Sequence, residues 1–220
     1  CPHENTLIQD ADLLYSGTKV CANCGEVLEK GNYIVPEGGR YVRAIAYTTK
    51  NGATCVSQTQ VLAAGEEVPT IKACDQLEYN GYYYTYQSVY KRVNQSSANK
   101  EVVKQENITG DGWSVLWSQS TASQPPPIAD YIGQKPVTAM YETFAGIYVT
   151  EMPEMPDTIL SMDHAFSGTP IASITKLPSF VQSLNSTFYG CARLTDCSDL
   201  AIPETVTSMN STFCECSALK

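Results

Sequence analysis

The chain reads as a mainly β protein that ends in a solenoid of short stacked repeats, and three patterns lead to that reading. Phe144, Phe166, Phe188 and Phe213 recur at steps of 22, 22 and 25 residues, each inside the same local text. Between Tyr33 and Gln119, short runs of β-branched and aromatic residues alternate with turn dipeptides. Near the start, Cys21-Ala22-Asn23-Cys24-Gly25 separates two thiols by two residues, the spacing of a metal knuckle. The expected organisation is a small N-terminal module (1–32), an antiparallel β domain (33–119), a Pro-rich linker and cap (120–133) and the repeats (134–220).

In the first module, Cys1, His3, Cys21 and Cys24 form the metal-like set, three Cys and one His. Four protein ligands close a tetrahedral site, so the ion, expected to be zinc, is structural and activates no water. Gly25 suits the tight turn in which backbone N–H groups face sulfur. The same residues also admit a disulfide, a Cys21–Cys24 redox pair, or acylation at Cys1. The text CPHENTLIQDADLLYSGTKVCANCGEVLEKG resembles the "C-x-H … C-x-x-C-G" zinc-ribbon-like modules of extracellular proteins in Gram-positive bacteria. The further segment those modules carry before the knuckle is lost or shortened here.

The middle of the chain is expected to form strands at RYVRAIAYTT, ATCVSQTQVLA and GWSVLW, with a hairpin in EYNGYYYTYQSVY. Asn80-Gly81 is a two-residue hairpin turn, which sets Tyr82, Tyr84 and Tyr86 on one face of a strand. That row is expected to be a stabilising aromatic ladder, the alternative being a carbohydrate- or protein-binding patch. KRVNQSSANKEVVKQENITG reads as a loop or edge strand, and Cys55 and Cys74 as a candidate pair. Pro125, Pro126 and Pro127 predict a stiff extended spacer. Ile128–Gly133 is expected to add one helical turn that caps the repeats.

The repeats align in columns. Seven residues before each Phe stands Val137, Ile159, Val181 or Val206, and four before stands Met140, Met162, Leu184 or Met209. Five before stands Ala139, Ser161, Ser183 or Ser208, and two after the first three stand Gly146, Gly168 and Gly190, with Glu215 breaking that column. Ten before the last three come Pro156, Pro178 and Pro203, so the extra residues of the third copy fall within 192–202. Such units cannot bury an apolar face alone and must stack. Texts such as IPETVTSMNSTFCECSAL and LPSFVQSLNSTFYGCARL resemble the BspA-like leucine-rich repeats of bacterial surface proteins over about residues 134–220. Here Phe, Met and Val share the inward columns with Leu, and the usual Asn of the repeat is missing. The resemblance implies an extracellular or cell-surface location and a role in adhesion or protein binding.

Composition narrows the function classes. A net charge of −9 with fourteen Lys and Arg gives no basic patch for nucleic acid. No apolar run is long enough, at about eighteen residues, to predict a membrane span. No Gly-x-Ser-x-Gly, P-loop, His-Glu-x-x-His or dinucleotide fingerprint occurs. His164 shares a polar column with Glu142, Ser186 and Ser211 and reads as a solvated side chain. Glu151, Glu154 and Asp157 read as an acidic edge or a weak calcium site. Cys191 and Cys216 share a column and read as buried structural thiols, whereas Cys197 and Cys214 admit a bridge between coils.

The expectation is therefore a non-catalytic binding protein whose repeat face recognises a protein or glycan. The alternative is a docking or spacer region of a larger extracellular enzyme. The fourth copy stops at Lys220, opposite Thr195 of the third, which leaves Phe213 and Leu219 uncovered. That predicts continuation into further repeats or a cap, or self-association through the C-terminal edge.

Overall fold

A computed structural model describes residues 2–9, 17–48, 54–68, 70–72, 75–87, 108–119, 124–198 and 200–220. Its strands form two sheets. Strands β1 (Thr6–Gln9), β2 (Thr18–Cys21) and β3 (Val27–Lys30) make a small antiparallel sheet in the order β1-β2-β3. The larger sheet has seven strands: β4 (Arg40–Thr48), β5 (Thr54–Leu62), β6 (Asp75–Tyr79), β7 (Tyr82–Gln87), β8 (Gly112–Trp117), β9 (Tyr131–Ile132) and β10 (Lys135–Ala139). Its order is β5-β4-β6-β7-β8-β10-β9. The runs read as strands from alternation are β4, β5, β7 and β8. Cys74 and residues 88–107 lie outside the described residues, and with them the expected Cys55–Cys74 pair and much of the polar loop.

The hairpin between β6 and β7 turns at Asn80 and Gly81, whose φ values of 53° and 84° match the right-handed twist of the strands it joins. Tyr82, Tyr84 and Tyr86 all point into the core, while Thr85 faces water. Their hydroxyls do not reach solvent as a binding patch would. Tyr82 donates to the carbonyl of Pro126 at 2.7 Å, and Tyr84 accepts the N–H of Ala129 at 3.2 Å. The proline stretch expected as a spacer is thus docked on the sheet, Tyr82 holding Pro126 and Tyr84 holding Ala129 just after it. The helical turn expected at 128–133 is also absent. Tyr131–Ile132 and Lys135–Ala139 pair as an antiparallel hairpin, with Gly133 in the turn at φ 63°.

The larger sheet is not antiparallel throughout, because β10 runs parallel to β8. This parallel pairing is the first of a series. Beyond β10 the chain stacks on itself in parallel: Ala139 bridges Ser161, Ser161 bridges Ser183, and Ser183 bridges Ser208. At each step the residue after the bridge donates to the next copy, Met140 to Ser161, Met162 to Ser183 and Leu184 to Ser208, at 2.9–3.0 Å. Phe144, Phe166 and Phe188 likewise donate their N–H groups to Ala165, Thr187 and Thr212 at 2.8–3.0 Å. Four consecutive turns of chain therefore stack in register. Their Phe rings lie 5.0, 5.7 and 5.6 Å apart, inclined by 19°, 12° and 8°. Val137, Ile159 and Val181, and likewise Met140, Met162 and Leu184, are fully buried in the same core as that column.

The third copy absorbs its extra residues at the flank. Ser173 bridges Asp196, a step of 23, after which Pro178 and Pro203 stand a full 25 apart. The Phe column is undisturbed. In the fourth copy Phe213 and Leu219 are half-buried rather than bare, and Met209 is 39% exposed.

Each turn contains two left-handed bends. Glu142, His164, Ser186 and Ser211 have φ between 50° and 57°, and Gly146, Gly168, Gly190 and Glu215 between 61° and 69°. The polar column read as merely solvated is thus a backbone requirement, and His164 stands in it half-buried. A side chain in this conformation is strained by roughly 1–2 kcal/mol. Glu215→Gly should therefore raise stability by about 1 kcal/mol in urea or thermal unfolding. A loss would show that the side chain of Glu215 has a compensating role. Phe188→Ala, between two stacked rings, should cost about 3–5 kcal/mol. A cost below about 0.5 kcal/mol, the surface range, would contradict the stack.

Candidate functional site

The first candidate site lies at the knuckle. The chain leaves β2 at Cys21 and turns back into β3 within a few residues. Gly25 takes φ 74° and returns its N–H to the carbonyl of Cys21 at 2.9 Å, while Cys21 donates to Glu26 at 2.8 Å. This folds Cys24 back beside Cys21. The N-terminal strand comes alongside, with Ala22 N–H donating to Asn5 at 2.9 Å, and brings His3 over the knuckle. The ligand atoms of His3, Cys21 and Cys24 all lie within 4.8 Å of one another, close enough to share a metal ion. His3 Nδ1 is 3.7 Å from Cys24 Sγ, and its Nε2 is 3.3 Å from Glu26 Oε2.

Those distances divide the histidine's two nitrogens between two tasks. Nδ1 faces sulfur, and Nε2 faces a carboxylate that can hold the ring and its tautomer, as the outer partners of metal-bound histidines do. Glu26 was not singled out in the sequence, although its place directly after Cys24-Gly25 was the available hint. Burial resists ionisation of Cys21, but the N–H groups of Cys24 and Asn23, with bonds to His3 and the Cys24 side chain, outweigh it. The thiol is pulled down to about 7. Cys24 moves up: the N–H of Glu26 lowers it, but its bond to Cys21, desolvation and the charges of Cys21 and Glu26 prevail. The two thiols thus hold one negative charge more readily than two, which is the state a divalent cation would reverse. Cys1, the fourth expected ligand, lies outside the described residues.

Among the described residues no second group brings three such ligand atoms together, so the carboxylates of Glu151, Glu154 and Asp157 do not converge. Asp157 is instead committed to the next copy, accepting the N–H of Ser179 at 2.7 Å.

The repeats carry a second ordered set of polar groups, which sequence reading missed. Asp163 Oδ1 accepts the hydroxyl of Ser183 and, at 3.0 Å, the N–H of Asn185. Asn185 Oδ1 accepts Ser208 Oγ at 2.6 Å and the N–H of Asn210 at 2.9 Å. Asp163, Asn185 and Asn210 stand three residues before their Phe. Tyr141 holds this position in the first copy, which conceals the column in the sequence. The thiols of Cys191 and Cys216 are more than apolar filling. They donate to the carbonyls of Phe166 and Phe188, one copy earlier, at 3.2 and 3.0 Å. Cys197 and Cys214 are both free thiols, so no bridge joins them.

Metal affinity at the knuckle should rise with pH through about 7, because a bound ion needs both sulfurs ionised and Cys21 loses its proton there. Titration with Co(II), followed by its thiolate charge-transfer absorption, should show binding weaken as pH falls below that value. A flat profile would exclude thiolate ligation. Comparison with known protein families, curated proteins and solved structures finds no match to this chain.

Proposed function

We propose that the chain is a non-catalytic secreted or cell-surface binding protein. In this reading the stack is a leucine-rich-repeat solenoid of the BspA-like kind, and its lateral face recognises a protein or glycan. The observation that carries the reading is the unbroken parallel register of four copies. The copies place the residues of their Phe, Val and Met/Leu columns in one internal stack, so successive copies present their outer side chains in rows. Six and eight residues before Phe188 and Phe213 those rows carry Gln182, Phe180, Thr207 and Thr205, all wholly or partly accessible. A regular, rigid, largely uncharged surface of this kind suits recognition rather than bond-making.

The N-terminal module is, in the same proposal, a zinc-ribbon-like unit whose structural ion is zinc, held by Cys1, His3, Cys21 and Cys24. The mixed sulfur and imidazole donor set and the knuckle turn support zinc. When bound, zinc would supply folding energy to the three short strands, which have few other means of holding together.

Two measurements test these proposals. The purified chain, screened by interferometry against immobilised glycans and extracellular matrix proteins, should show saturable binding to at least one. Gln182→Lys with Thr207→Lys should reduce that binding while leaving the melting temperature unchanged. Failure to bind any member of the panel counts against the reading. Elemental analysis should give about one zinc per chain. Cys24→Ser should lose the zinc and the hydrogen-exchange protection of β1–β3, yet keep the protection of the Phe stack. Full zinc retention in that variant would remove Cys24 from the site.

A further inference from the structure

The lateral face has one residue that its column does not explain. Eight residues before each Phe stand Pro136, Thr158, Phe180 and Thr205. Phe180 sits in the short turn closed by Val181 N–H on the carbonyl of Pro178, and 59% of it is exposed. Two other copies hold threonine there, so the stack does not need an aromatic ring. Beside it opens a hollow of about 590 Å³, floored by Leu160, Pro156 and Pro136 and bordered by Tyr131, Asp130 and Asp157. That volume is within the range of small-ligand sites.

The chemistry of the hollow selects its occupant. It has two carboxylates and no Lys or Arg in its lining, in a chain of net charge −9, so an anionic ligand would be repelled. Backbone groups along this flank are already committed: Leu160 and Gln182 donate to Thr138 and Leu160 at 2.8 Å, and Thr207 donates to Gln182 at 2.8 Å. Those three N–H groups cannot pair with an extended peptide, so recognition falls mainly to side chains. These include the exposed ring of Phe180 and the Asp157 carboxylate, held by Ser179 N–H at 2.7 Å, whereas the Thr158 hydroxyl already donates to the carbonyl of Asp130 at 3.2 Å. Stacking on a ring combined with hydroxyl-to-carboxylate bonds fits a neutral pyranose, whose apolar face and equatorial hydroxyls need both.

We propose that the hollow beside Phe180 binds a neutral sugar unit of a polysaccharide, with Phe180 as the stacking platform and Asp157 as hydroxyl acceptor. This inference deepens the binding-protein reading above and rests on it.

Calorimetric titration of the intact chain with cellohexaose, xylohexaose, mannohexaose and chitohexaose tests it, beside polygalacturonate and oligolysine as anionic and cationic controls. At least one neutral oligosaccharide should bind, and Phe180→Ala should weaken it about tenfold or more, a loss of one stacking contact. Phe180→Trp should preserve binding, and the melting temperature of Phe180→Ala should match the parent because the column tolerates threonine. Asp157→Asn should also weaken binding. The proposal is overturned if none of the four neutral sugars binds, if Phe180→Ala binds them equally, or if only a charged control binds. A protein ligand from the interferometry panel, bound equally by Phe180→Ala, would overturn the sugar site and leave the binding-protein reading standing.

Discussion

A single column of aromatic rings holds the two principal parts of this protein in one core. It runs from Phe213 through Phe188 and Phe166 to Phe144, and there it does not stop. Phe144 packs 6.1 Å from Trp117 and 6.2 Å from Tyr82, and Tyr82 lies 4.8 Å from Trp117. Within the repeats the rings are near-parallel, because identical residues one copy apart inherit the same backbone orientation. At the sheet they tilt to 47–77°, because the partners come from differently directed strands. The sheet thereby covers the first face of the stack. Its strand β8 acts as the copy that would otherwise precede the first: Thr143 Oγ1 donates to Val115 O at 2.8 Å, as Thr187 and Thr212 donate to Met162 and Leu184 one copy earlier. Gly112 is required at this seam, since an added Cβ would lie 2.7 Å from the carbonyl of Pro136.

Polar groups fix registers that apolar packing alone would leave free to slip. In the sheet, Asp75 is fully buried and receives Arg43 Nε at 2.8 Å, Arg43 Nη2 at 2.9 Å, the N–H of Lys72 at 2.8 Å and the hydroxyl of Tyr41. Slipping β4 against β6 would strand that charge, and a broken buried pair costs about 3–5 kcal/mol. Burial, reinforced by the adjacent Asp75 carboxylate, pushes the Tyr41 phenol well above its ordinary range and keeps it a donor. The Asp163–Ser183–Asn185–Ser208–Asn210 chain has the same role along the repeats. Each Asx side chain replaces the hydrogen-bond partner that a turn of backbone lacks.

Local features of the sequence were legible because they act over a few residues. Asn80-Gly81, the strand alternations, the Cys21–Gly25 knuckle and the Phe, Val and Met columns all have causes within one turn or one repeat. What escaped depends on segments far apart in the chain. Nothing near Lys135–Ala139 announces that it will lie parallel to Gly112–Trp117, and nothing in three prolines says that the Tyr82 hydroxyl will hold one of them. The left-handed column at Glu142, His164, Ser186 and Ser211 was visible as polar but not as conformational. Side chains rather than glycine occupy it, so composition concealed the φ. The three converging side chains of the knuckle, His3, Cys21 and Cys24, were readable from type and spacing, and Glu26 became visible only once His3 had a direction.

The direction of the ladder also has a mechanical meaning. The hydrogen bonds that join successive repeats run along the stack, so tension applied along the same axis pulls on each bond lengthwise. Such bonds open rung by rung instead of shearing together. Each opened repeat would release its own length of chain, about 75 Å for 22 residues. Under load the repeats would act as a series of nearly equal extensions, while the larger sheet at their base is tied across β4 and β6 by the buried Arg43–Asp75 pair.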